Sequence, residues 1–154
     1  MTDLKAAAVA ALRGKTIATA ESCTGGGIGQ ALTCVCGSSA VFKGGIISYC
    51  DEIKQKLLGV SSAMLAQYGA VSAPVAEAMA KGAREVLGTD MAVSVTGLAG
   101  PTGDNYGNRV GTVFIGWCDE KGTFSREYHF TGDREEVRFQ AIEKALALIA
   151  EQNP

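Results

Sequence analysis

The stretch TIATAESCTGGGIGQAL, Thr16 to Leu32, confines the chain to a narrow set of folds. An apolar, β-prone run stops at Glu21. Three small polar residues follow, Ser22, Cys23 and Thr24, and then Gly25, Gly26 and Gly27 lead into a helical pattern. A buried strand turning directly into a helix is the opening of a layered α/β domain.

The rest of the chain keeps the alternation. Thr2 to Leu12 reads as a first helix closed by Gly14. KTIATAE reads as a buried strand, GGIGQALTCV as a helix, and CGSSAVFK as a loop. A second strand is expected at Ile46 to Cys50, then a short helix in DEIKQKLLGV with Asp51 as its N-cap. SSAMLAQYGAVS gives another helix behind a serine cap. APVAEAMAKGAREVLG gives a longer one, with Pro74 in its first turn and Val75, Met79 and Val86 on one apolar face. Met91 to Val95 is a third strand running into the glycine loop around PTGDNYGNR. VGTVFIGWC and TFSREYHF form a hairpin around DEKG. The last helix begins near Asp133, with Val137, Ile142, Leu146 and Ile149 at helical spacing. The order α-β-α-β-α-α-α-β-β-β-α predicts an α/β fold, and the terminal hairpin makes its sheet mixed. At 154 residues, without repeats or linkers, residues 1–154 form a single domain.

Composition removes several functions. The net charge of −2 leaves no basic footprint for nucleic acid. No apolar run reaches the roughly 18 residues of a membrane span. The N-terminus lacks the basic start of a secretory signal, so a cytoplasmic location is the default expectation. The five cysteines show no zinc-ligand spacing and are expected to be reduced thiols, with Cys23 set apart by its position beside Ser22.

Chemistry is expected at the corner. Ser22 stands where the free N–H groups of a helix start can hold a phosphate or an oxyanion. The plainer role for Ser22 or Thr24 is to cap that helix. The stretch is neither a Walker loop nor a dinucleotide fingerprint. A nucleophilic serine needs a base. The lone His129, in REYHF, reads as structural. Lysine can take the role when burial lowers its pKa, and the candidates are Lys54, in the first turn after the second strand, and Lys43 before that strand. Tyr49 stands at the strand's end. SVTGLAGP aims Thr96, Gly97 and backbone amides outward from a third strand. Ligands of open α/β sheets bind at the carboxyl ends of strands, and three such ends carry hydroxyls or glycine loops. Arg134 and Arg138 share a helix face. Arg134 opposes the helix dipole, which an anionic ligand or a carboxylate partner would explain.

AESCTGG, GGIISYCDEIKQKLLGV, VSAPVAEAMAKGAR, SVTGLAGP, VGTVFIG and GDREEVR occur in that order. Together they closely resemble the CinA C-terminal domain family, whose active members are nicotinamide mononucleotide deamidases, and the chain looks like its stand-alone form. The resemblance covers nearly the whole chain. It implies a three-layer α/β/α sandwich with a mainly parallel sheet. It implies hydrolysis of nicotinamide mononucleotide to nicotinate mononucleotide and ammonia, a salvage step in NAD metabolism, with no metal or cofactor and with self-association into a homo-oligomer. By the same resemblance Ser22 is the nucleophile, and Tyr49 and Lys54 activate it. Thr96 with Gly97 and Arg134 belong to the substrate site, which Thr24, Gly25 and Gly26 would line. One departure stands out: Asp51 occupies a position where the family often carries Asn, and a carboxylate there favours the protonated form of Lys54. The rival expectations are Cys23 as nucleophile, a non-catalytic nucleotide-binding module, and a structural domain of an oligomer.

Overall fold

The computed structural model describes residues 2–154. Five strands form one sheet: β1 (Ile17–Glu21), β2 (Phe42–Ile47), β3 (Met91–Gly97), β4 (Thr112–Asp119) and β5 (Gly122–His129). Their order is β2-β1-β3-β4-β5. β1 pairs in parallel with both β2 and β3, while β4 is antiparallel to β3 and to β5. Four of the five strands therefore run one way.

Helices cover both faces. α1 (Thr2–Leu12), α2 (Gly27–Thr33) and α6 (Arg134–Gln152) lie on one side. There Leu12, Ile28, Leu32, Leu146 and Ile149 pack against Val93, Ile115 and Trp117. α3 (Asp51–Leu58), α4 (Ser62–Tyr68) and α5 (Ala73–Leu87) lie on the other. There Leu58, Leu65, Val75 and Met79 meet Ala18, Ala20 and Ala92. Each fully buried aliphatic side chain of this kind contributes about 1.5–3 kcal/mol. The three-layer α/β/α sandwich is thus the observed architecture. No helix among the described residues is long and apolar enough to cross a membrane.

The element order agrees with the sequence reading, and local caps explain much of it. Ser61 caps α4 by accepting from the Met64 amide. Asp133 caps α6 in a reciprocal box with Glu136. The hairpin turns at Glu120 and Lys121, between the paired Asp119 and Gly122.

Three local expectations are corrected. The second strand spans Phe42–Ile47, not Ile46 to Cys50. The strand starts earlier because a Cβ at Gly45 would overlap Thr19 Oγ1, so close approach to β1 needs the glycine. The N-cap of α3 is Cys50, and Asp51 is the helix's first residue. Val86 is 60% exposed while Val75 and Met79 are fully buried. The backbone of Leu58, at the end of α3, crosses α5 at Gly82, and Val86 lies one turn beyond that cover.

Candidate active site

The sheet order makes the three candidate strand ends adjacent. Hydrogen bonding continues past the strands: the Ser22 amide donates to Val95 O at 2.9 Å, and the Ser48 amide donates to Glu21 O at 2.8 Å. Ser22, Tyr49, Thr96 and Gly97 consequently line one cleft of about 530 Å3. This is within the usual size of small-molecule sites. Cys23, Asp51, Lys54, Arg134 and the segment from Leu98 to Thr102 complete its walls.

Lys54 is the centre of the arrangement. It lies one turn into α3, is 1% exposed, and donates from Nζ to Ser22 Oγ at 3.0 Å and to Ser48 O at 2.8 Å. Burial pushes its ammonium below the ordinary lysine pKa. The charge of Asp51, then Cys50 and Cys23, pulls the other way by less. The Asp51 carboxylate therefore does not prevail over desolvation. A neutral amine at this distance is within reach of a serine hydroxyl proton. Lys43 is exposed on β2, outside the cleft walls.

Cys23 also faces the cleft, but burial pushes its thiol up to about 12. Such a thiol supplies almost no thiolate near neutrality. His129 lies at the end of β5, where it meets Thr112 Oγ1 at 3.1 Å and pairs with Glu127 at 2.6 Å.

The glycine corner is built differently from the expectation. Glu21, 2% exposed, accepts from Thr24 Oγ1 at 2.7 Å and from the amides of Ile28 at 2.8 Å and Gly29 at 3.0 Å. A carboxylate from the chain itself thus occupies the start of α2, leaving no anion site there. Thr24 is wholly buried and turned toward Glu21. Gly25 (φ +59) and Gly26 (φ +104) adopt left-handed backbone, and the Gly25 amide donates to Ser22 O at 3.1 Å. Thr24, Gly25 and Gly26 are absent from the cleft walls. They shape the corner that presents Ser22.

Two residues of this framework were not singled out for their roles by the sequence. Nothing in the pattern marks Glu21 as a helix cap, since the amides it accepts from follow seven and eight residues later. Arg138 was visible only as a neighbour of Arg134. It donates from Nε to Cys23 O at 3.0 Å and from a terminal nitrogen to Thr24 O at 3.2 Å, bracing the corner from α6.

Tyr49 is 62% exposed at the cleft rim, and its hydroxyl accepts from Arg134 at 3.0 Å. Neither Ser22 nor Lys54 is its hydrogen-bond partner. Arg134 also donates to Gly100 O at 2.7 Å, and no carboxylate pairs with it among the described residues. Thr96 Oγ1 donates to Ala70 O at 2.8 Å, fixing the cleft wall. Among the described residues, no group of three or more His, Cys, Asp or Glu is placed to hold a metal ion.

Fold and site together define a three-layer α/β domain with a buried serine–lysine pair at the carboxyl ends of its parallel strands. The chain belongs to the CinA family: the model described as the CinA C-terminal domain matches residues 2–152. A CinA-like protein of Geobacter sulfurreducens is 49% identical over 134 residues, which cover 87% of this chain and 32% of that protein. This chain thus spans about a third of the length of the CinA-like relatives it matches. The nicotinamide-nucleotide amidohydrolase PncC of Pseudomonas putida is 48% identical over 130 residues, covering 84% of this chain and 81% of that protein. The crystal structure of a CinA superfamily protein from Klebsiella pneumoniae 700603 superposes with a TM-score of 0.95 at 35% identity, covering 98% of this chain and 96% of that one.

Proposed function

We propose that this chain is an amidohydrolase that converts nicotinamide mononucleotide and water to nicotinate mononucleotide and ammonia, a salvage step in NAD metabolism. The observation that carries the reading is the buried Lys54 amine 3.0 Å from Ser22 Oγ. The amidohydrolase relative from Pseudomonas putida supports the substrate.

Neutral Lys54 takes the Ser22 proton as Oγ attacks the carboxamide carbon. The Cys23 amide, which donates to no backbone carbonyl and belongs to a residue of the cleft wall, is the donor open to the oxyanion. One such donor contributes about 3 kcal/mol to the transition state. The C–N bond breaks as the Lys54 ammonium returns its proton to the nitrogen, and ammonia leaves. Water then attacks the nicotinoyl ester, giving a proton to Lys54 that passes back to Ser22 Oγ. Arg134, with Tyr49 beside it, holds the 5′-phosphate by charge-assisted hydrogen bonds. Thr96 and Gly97 form the wall, while Thr24, Gly25 and Gly26 act through the corner. The domain works as a homo-oligomer in the cytoplasm.

The test is ammonia release by purified protein given nicotinamide mononucleotide without added metal, with Ser22→Ala run beside it. Release by the wild type alone supports the reading. Nucleotide binding without release by either protein would replace it with a non-catalytic nucleotide-binding module.

A further inference from the structure

Two opposite charges in the cleft have no ion-pair partner among the described residues. Asp51 is its only carboxylate and makes no hydrogen bond or ion pair among the described residues. Arg134 is equally without a carboxylate. Asp51 opens α3, three residues before Lys54, so both side chains rise from one helix face beside Ser22. The exposed ring of Tyr49 stands at the same rim. Asp51 is exposed, and a neutral or purely anionic ligand that covers it strips its water without an ionic replacement. A ligand carrying one cation and one anion satisfies both groups.

We infer that Asp51 is a specificity-determining residue that reads the positive charge of an N-ribosylated pyridinium ring and selects it over neutral aromatic carboxamides. The inference rests on the proposed amidohydrolase reading and deepens it. With the phosphate at Arg134, the pyridinium nitrogen lies between the phosphate arm and the carboxamide that must reach Ser22. Asp51 and Tyr49 line the same cleft as Ser22 and Arg134, so a carboxylate and an aromatic ring are both at hand for that cation. The cationic ring also makes the carboxamide carbon more electrophilic, so selection by charge admits the more reactive amide.

Binding separates recognition from turnover. Affinities for nicotinamide mononucleotide and for the carbon-linked benzamide riboside 5′-phosphate, whose ring is neutral, are measured by calorimetry at fixed ionic strength. The proteins are Ser22→Ala and Ser22→Ala/Asp51→Asn. Asp51→Asn is expected to weaken the cationic ligand about five- to tenfold and leave the neutral one within about twofold. Loss of the carboxylate also favours neutral Lys54, which would strengthen cation binding, so the expected weakening is opposite in sign to that side effect. Equal weakening of both ligands, or no change in either, overturns the inference. Ammonia release by the wild type is measured beside these. Release with charge-blind binding defeats the role of Asp51 alone. No release and no binding defeats the amidohydrolase reading and the role of Asp51 with it.

Discussion

Lys54 Nζ donates to Ser22 Oγ at 3.0 Å although the two residues stand 32 positions apart, and the lysine is almost wholly buried. β1 and β2 run side by side in parallel, so the start of α3 returns over the end of β1. The Ser48 carbonyl takes a second Nζ hydrogen bond and fixes the amine's direction.

Replacement of Lys54 by Met keeps an unbranched apolar stem and removes the terminal amine. It leaves Ser48 O without that donor but removes a desolvated amine, so stability changes by no more than about 2 kcal/mol. Ammonia release is expected to fall about 10³-fold or more. Urea unfolding and steady-state kinetics on the same preparation check both halves. Near-normal turnover would exclude Lys54 as the base.

The lowered pKa of Lys54 makes two pH dependences. kcat/KM rises with pH as the free amine forms, through a limb below the ordinary lysine value of 10.5. Stability moves the same way. Between the lowered folded pKa and 10.5 the unfolded chain binds the proton and the folded chain does not, so unfolding free energy rises with pH across that window. Below the folded pKa both states are protonated and the slope vanishes. Urea midpoints of the wild type are expected to gain on those of Lys54→Met as pH climbs toward 10.5. A constant difference would show that Lys54 titrates normally.

Glu21→Gln keeps shape and removes charge at the start of α2. One amide oxygen replaces two carboxylate oxygens, and an NH2 group then faces a backbone or hydroxyl donor. A loss of about 2 kcal/mol in unfolding free energy is expected. Turnover should fall with it, because Ser22 is the next residue. Wild-type stability in this variant would mean that α2 finds another cap.

Gly82→Ala inverts a propensity rule. In an exposed helix interior the change gains about 1 kcal/mol. Here a Cβ would overlap the carbonyl of Leu58, where α3 crosses α5. A net destabilisation of about 2 kcal/mol is expected by urea denaturation. Unchanged or raised stability would show that the helices part without strain.

Much of this was written into the chain locally. The apolar run ending at Glu21, the period of α5 and α6, the serine before α4 and the Asp133–Glu136 box each depend on neighbours a few residues away. Sequence therefore determined the order of elements, the layered α/β class and the strand ends where Ser22 and Thr96 stand, whereas Tyr49 lies past the end of β2. The glycines misled where their reason was distant. Gly45 is part of a strand because Thr19 of another strand approaches it, and Gly25 and Gly26 turn the backbone at the corner instead of lining the cleft. Only the tertiary structure decided which charges are buried and what each touches. It set Lys54 on Ser22, Glu21 on the amides of α2, Arg138 on the corner carbonyls and Arg134 on Tyr49. Helical and strand periods are short-range properties of the chain, whereas desolvation and hydrogen-bond partners are fixed by how whole layers pack.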